Sequence, residues 1–295
     1  MEVLFNSQVN AGLTMSSIKE KIAEVLRELG IDWVRGFEER DPQYLAVARL
    51  CRELRHDVET TLKLTILNAL VSYQLTGKGE DHWNYFANYF IVNKPADLCR
   101  DFINYVMNSR YLARYRDSRI RRIQNACPQI ARLGISNYLS DLTSLWKLLS
   151  KVTNTSGDEK TIVFAVKMAY YVGRVCGFDV SVPMEIPIPV DYRVTVITIC
   201  SGLMPVMGGL DNVAGLAREL MTRRRAEIQG IWSEIGRLSG VPPLNLDSVV
   251  WVLGGLLINS SFSMNKAING AKALNIYNGR VLELLHLLGG RCIDR

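Results

Sequence analysis

The sequence has no Cys-x-x-Cys pair, and its three histidines, His56, His82 and His286, are widely separated. The spacing that zinc or an iron–sulfur cluster needs is therefore missing, and neither a metal nor another cofactor is expected. No apolar stretch reaches the ~18 residues of a membrane helix. Residues 1–14 show no basic start followed by an apolar run, so no secretion signal and no membrane partner are expected. Alternating strand patterns are scarce. The extended candidate, 186–190, carries Pro187 and Pro189, which suits a linker better than a central strand. The turn Thr76-Gly77-Lys78-Gly79 lacks full phosphate-loop spacing and reads as a plain turn. Internal repeats and low-complexity tracts are also missing.

What is present is an ordinary globular composition. The 295 residues are 48% hydrophobic and 22% charged, enough for one large core or two packed subdomains. A net charge of +6 favours an anionic partner without proving one. The cysteines, Cys51, Cys99, Cys127, Cys176, Cys200 and Cys292, are scattered. They read as small buried hydrophobes in a reducing cell interior, with distant disulfides left open for a hyperthermophilic source.

The periodicity is helical nearly throughout, which predicts an all-α fold. Ser17 and Glu20 form a capping box before Ile22, Val25, Leu26 and Leu29, and Gly30 ends that run. Asp41-Pro42 is a second start, an N-cap followed by proline. Further helices are predicted over 58–75, 82–90, 95–108, 120–133, 138–152, 159–175, 192–201, 212–238, 248–257 and 264–288. Residues 1–15 read as a loosely ordered tail.

Three stretches have the residue types for chemistry. After Ser156 or Asp158, either of which can cap a helix, Lys160, Phe164 and Lys167 fall on one helical face. In one reading this is a surface helix whose phenylalanine packs inward while the lysines snorkel. In the other, Lys160 sits near the positive end of the helix dipole, loses some preference for its charged form, and attacks carbon as a nucleophile. Asp191 follows the stiff proline segment at an N-cap position. It is either only a cap or a fixed negative charge for a developing sugar cation. Asp247 is a further expected N-cap with Trp251 one turn on, either a capped core helix or a carboxylate and ring for a flat base. Two arginine runs, within 110–122 and at Arg223, Arg224 and Arg225, are either phosphate contacts or solvated basic faces.

These residues stand in blocks that resemble the archaeal 8-oxoguanine DNA glycosylases (AGOG), a branch of the helix-hairpin-helix glycosylase superfamily. The blocks are Glu39-Arg40-Asp41-Pro42-Gln43-Tyr44, Leu67-Asn68-Ala69-Leu70-Val71-Ser72-Tyr73, Leu75-Thr76-Gly77-Lys78-Gly79-Glu80-Asp81-His82-Trp83 and Asp97-Leu98-Cys99-Arg100-Asp101-Phe102. The strongest are 160–167, 186–194 and 242–251, and together the blocks spread over most of 16–295. The chain departs from the wider superfamily at 151–157, where a glycine-rich hairpin is expected and Gly157 is the lone glycine. The stretch 204–225 also looks longer than the family's loop and helix.

The resemblance implies a bifunctional glycosylase and DNA lyase that acts on 8-oxoguanine in DNA inside an archaeal cell, as a monomer without an obligate protein partner. It matches Lys160 to the Schiff-base lysine and Asp191 to the catalytic aspartate. It puts Gln43, Trp83, Phe164, Lys167, Asp247 and Trp251 in the base pocket, the tryptophans stacking and Gln43, Lys167 and Asp247 bonding the base edge. The implied architecture is two helical subdomains with the site in the cleft between them, one made of 16–75 and 186–295 and the other of 76–185. Competing readings are a glycosylase in which Asp191 activates water directly, a helical nucleic-acid-binding module without chemistry, and a protein-interaction scaffold.

Overall fold

A computed structural model describes residues 14–206 and 210–294. Among these the chain forms fourteen α-helices and two short 3-10 helices, and no strand. It opens with α1 (Met15–Glu38) and runs through α2 (Pro42–Glu53), α3 (Val58–Val71), α4 (Gly79–Val92), α5 (Leu98–Asn108), α6 (Arg116–Arg132), α7 (Leu142–Thr153) and α8 (Lys160–Val175). After an extended segment come α9 (Tyr192–Cys200), α10 (Val213–Arg223), α11 (Arg225–Ser239), α12 (Pro243–Asn259), α13 (Met264–Ala273) and α14 (Gly279–Gly289). The expected tail at 1–15 lies outside the described residues except for its end, where Met15 already begins α1.

Short polar side chains set many of the helix starts. Asp41, Asp57, Asp97, Asp141 and Asp191 each accept a bond from a backbone N–H two or three residues on, and Asn212 and Asn278 do the same. Two expectations need correction. The first helix begins ahead of the proposed capping box, where Thr14 Oγ1 accepts from Ser17 N at 3.3 Å and Glu20 is bonded by Ser16. By contrast, Gly30 interrupts the helix where expected: its φ of 77° and ψ of 168° are non-helical and put a kink there, after which a second helical piece carries buried Val34 and Phe37. The helices expected over 212–238 and 264–288 are each two helices. The first breaks at Arg224, and the second at a turn where Asn275 takes a φ of 54°.

The contacts divide the chain into two compact units, Glu39–Ile186 and Met1–Glu38 with Pro187–Arg295. The sequence reading put 39–75 with the chain ends, whereas the contacts put it in the central unit. The reason is packing: α3 lies along α8, and α2 packs on both α4 and α8. In the central unit α3 and α8 are buried around most of their circumference, which marks them as core helices. An aromatic cluster of Phe86, Phe90, Phe102 and Tyr105 fills the space between α4 and α5, with ring centroids 5.3–5.8 Å apart. In the terminal unit α12, like α9, is largely buried. Its Leu246, Val249, Val250, Leu253 and Leu257 pack with Ile22 and Leu26 of α1, Trp232 of α11 and Leu284 and Leu288 of α14.

The cysteines do not behave as free buried hydrophobes. All six pair: Cys51 with Cys176, Cys99 with Cys127, and Cys200 with Cys292, at Cα separations of 6.6, 5.6 and 5.3 Å. These separations are those of ordinary disulfides. Partners 28 to 125 residues apart leave no local spacing signal, so only tertiary proximity reveals them.

Candidate active site

In the central unit the approach to α8 is a closed turn. Asn154 ends α7 in the left-handed conformation, and Gly157 has a φ of 94°. A methyl group on Gly157 would lie 2.5 Å from Ser150 Oγ and 3.2 Å from Trp146 Nε1, whose N–H donates to Gly157 O at 2.8 Å. The lone glycine of this hairpin-like segment is thus required by both conformation and space. Ser156 and Asp158 do not cap α8. Glu159 holds the N-cap position, Gly157 N donates to its Oε2 at 2.9 Å, and Ser156 Oγ bonds the carboxylates of Asp158 and Glu159.

Lys160 is the first residue of α8, and its Nζ lies 5.7 Å from the centre of the Phe164 ring. Phe164 is 7% exposed and meets Trp83 edge to face, with centroids 5.8 Å apart. Trp83 is itself buried on α4. Gln43, in the first turn of α2, is also buried, and its Nε2 lies 3.9 Å from where a Cβ on Gly79 would be, so its amide lies beside the start of α4. Two turns below Lys160, Lys167 is 1% exposed. Its Nζ is 3.6 Å from Asp41 Oδ2 and 5.2 Å from the centre of the Tyr171 ring. Lys167 is therefore not a snorkelling surface lysine.

Asp41 was foreseen only as a cap. Its Oδ1 does cap α2 through Gln43 N at 2.9 Å, but its Oδ2 accepts from Tyr171 Oη at 3.0 Å and faces Lys167. His82, beside Trp83, was not singled out either. Its Nε2 is 3.1 Å from Ser72 Oγ, whose own proton goes to Asn68 O at 2.7 Å. The hydroxyl has one hydrogen to give, so Nε2 must carry the imidazole proton. Burial, with the nearby Arg119 cation adding to it, pushes the His82 pKa down to about 3.

The arginine run on α6 splits in two. Arg119 is buried and donates to Val71 O at 3.0 Å, to Leu112 O at 3.4 Å and to Tyr73 O, while Arg122 donates to Leu70 O at 3.1 Å. These two cations finish the C-terminal end of α3, where a helix favours positive charge. Arg114 and Arg121 remain exposed, as does Tyr115. In the other run Arg223 pairs with Glu219 and Arg224 with Glu227. The turn 76–79 is a plain one, packed on Tyr111, whose carbonyl accepts from Thr76 N at 2.9 Å.

In the terminal unit Asp191 is the N-cap of α9. Its Oδ1 accepts from Val194 N at 2.9 Å, and its carbonyl from Thr195 Oγ1 at 2.7 Å. The side chain is thereby held by one oxygen. Asp247 is not a cap. α12 begins at Pro243, so Asp247 lies inside the helix and is 5% exposed. Two prolines at 242 and 243 start the helix, which moves its first turn ahead of the expected cap. Trp251, one turn on, is half-buried, and the Arg193 guanidinium lies 4.1 Å above its ring. Among the described residues no group of three or more His, Cys, Asp or Glu is placed to hold a metal. No single described helix is long and apolar enough to cross a membrane. The candidates therefore divide, with Gln43, Trp83, Lys160, Phe164 and Lys167 in the central unit and Asp191, Asp247 and Trp251 in the terminal one.

In this chain the described residues form helices without strands, and a lysine heads a buried helix behind a tight turn. Its fold matches the crystal structure of the 8-oxoguanine DNA glycosylase from Pyrobaculum aerophilum, complexed with 8-oxoguanosine, at a TM-score of 0.76 and 35% identity, covering 94% of this chain and 99% of that one. The chain belongs to the N-glycosylase/DNA lyase family AGOG, which matches residues 23–283. An N-glycosylase/DNA lyase of Pyrobaculum aerophilum is 38% identical over 237 residues, 80% of this chain and 85% of the relative. That of Thermococcus kodakarensis is 35% identical over 247 residues, 80% of this chain and 84% of the relative. The chain is accordingly an enzyme of the N-glycosylase and DNA lyase class.

Proposed function

We propose that this enzyme excises 8-oxoguanine from DNA and then nicks the strand, with Lys160 as nucleophile and Asp191 as its partner. The observation that carries the reading is Lys160 at the head of α8, against the Phe164 ring and behind the closed turn at Gly157, in a chain of this family. A base inside a duplex is out of reach, so the lesion is flipped out, and stacking and edge bonds offset the few kcal/mol of unstacking. Trp83 and Trp251 are the proposed stacking rings. Gln43, Lys167 and Asp247 are the proposed edge contacts, and Phe164 is a further proposed contact of the base.

The unprotonated Lys160 amine attacks C1′ of the deoxyribose. The bond from C1′ to the base breaks, its electron pair leaves with the base, and a proton follows. Asp191 stabilises the positive charge that grows on the sugar and helps take the proton from the attacking nitrogen. Ring opening gives a Schiff base. Loss of a C2′ proton then expels the 3′ phosphate, which is the nick. A buried acceptor for the N7 proton of 8-oxoguanine would reject guanine, because guanine leaves that acceptor unpaired. The substrate is DNA inside the archaeal cell, and no second protein is required by this scheme.

The test is a labelled duplex carrying one 8-oxoguanine beside the same duplex with guanine. Release of the lesion alone, with a nick that needs no alkali, supports the reading. Release without a nick favours water activation by Asp191, and no release removes the assignment.

A further inference from the structure

Arg193 is two residues beyond Asp191 on α9, yet its side chain belongs to Trp251 on α12. Its guanidinium carbon lies 4.1 Å from the centre of the indole, and its Nη1 donates to the Trp251 carbonyl at 2.6 Å. A guanidinium over an aromatic face is attractive, and a bond to the same residue's backbone holds it there.

Two glycines make room for this contact. Gly254 and Gly255 lie inside α12, where glycine is the poorest helix former after proline. A methyl group on Gly255 would lie 3.2 Å from Arg193 Nη1 and 3.5 Å from its Cζ. One on Gly254 would lie 2.7 Å from Ile197 Cγ1 and 3.5 Å from Arg193 Cγ. The pair thus brings α9 close to α12 and seats the arginine stem along it. Trp251 stays only half-buried, with the cation covering one face of the ring.

We propose that Arg193 is a positioning residue for base recognition, holding the Trp251 indole from one face so that the other face is presented, already oriented, to the flipped base. The proposal rests on the reading that Trp251 stacks on the lesion base. A ring held by packing and a bond loses less freedom when the base arrives. The abasic strand has no base to stack, so its nicking by the lysine does not draw on this contact.

The test compares two single-turnover rates on the full-length enzyme: release of 8-oxoguanine from a duplex, and nicking of a duplex with a ready-made abasic site. Arg193→Met keeps an apolar stem and removes the plane and the charge. Its release rate should fall about ten-fold more than its nicking rate. Arg193→Lys should recover part of the loss. Gly255→Ala leaves Arg193 in the sequence but crowds its guanidinium, and should shift the ratio the same way. Equal losses in both rates, or a wild-type ratio in both Arg193→Met and Gly255→Ala, overturn the proposal. A wild-type enzyme that nicks abasic DNA yet releases no 8-oxoguanine overturns the substrate reading and this proposal with it.

Discussion

Lys167 Nζ stands 3.6 Å from Asp41 Oδ2, with each side chain 1% exposed. A charge moved out of water is costly unless an opposite charge and hydrogen bonds accompany it. Asp41 supplies the charge and is itself held by Gln43 N and Tyr171 Oη. Asp41→Ala should destabilise the protein by about 3–5 kcal/mol, the cost of removing one partner of a buried pair. Urea denaturation checks this, and a loss under ~1 kcal/mol, the scale of an exposed pair, contradicts it.

Gly157 is the next point of sensitivity. Alanine there meets both a left-handed backbone and Ser150 Oγ. Gly157→Ala should cost roughly 1–3 kcal/mol and slow the lysine's chemistry, since the turn leads directly into Lys160. Relief of the crowding in Gly157→Ala with Ser150→Gly should restore part of the stability but not the backbone strain. A Gly157→Ala protein as stable as wild type would show that the turn is not constrained as described.

His82 sets a pH dependence. Folded, its pKa is about 3, against an ordinary value of 6.5. Below about 6.5 the unfolded chain binds a proton that the folded one refuses, so stability falls as pH drops from 6.5 towards about 3. His82→Gln should flatten that part of the stability profile, whatever it does at neutral pH. An unchanged acid slope contradicts the account.

The three disulfides close loops of 125, 28 and 92 residues in sequence separation. In the chain-entropy account each of the longer two contributes roughly 4–5 kcal/mol by restricting the unfolded chain. Thermal unfolding with and without reductant should show a clearly lower midpoint in the reduced protein. A free-thiol count on the unfolded, unreduced chain checks the pairing itself, and six free thiols would contradict it.

The helical fold was legible because its signals are local. Apolar positions recur at helical spacing, and aspartates at 41 and 191 mark starts within three residues of the groups they cap. The interruption at Arg224 was not legible, since no proline or glycine marks it, whereas Asn278-Gly279, which opens α14, was a local signal that the sequence reading passed over. The common face of Lys160, Phe164 and Lys167 followed from spacing alone. That Lys167 is buried depended on Asp41, 126 positions earlier, and nothing between them reports it. Arg119 and Arg122 looked like surface cations for the same reason, since the carbonyls they bond at the end of α3 lie about fifty residues away. The roles given to the pocket residues came from family resemblance, because a buried tryptophan and a base-stacking one share the same local pattern.

The central claim is that the Lys160 amine bonds to the sugar, and borohydride reduction of an enzyme–DNA mixture tests it most directly. Wild-type protein with a duplex carrying one 8-oxoguanine should give a covalent adduct whose digestion maps the modified residue to Lys160. Lys160→Gln should give none while still binding the duplex. An adduct of undiminished yield in Lys160→Gln, or one mapped to another residue, would contradict the account.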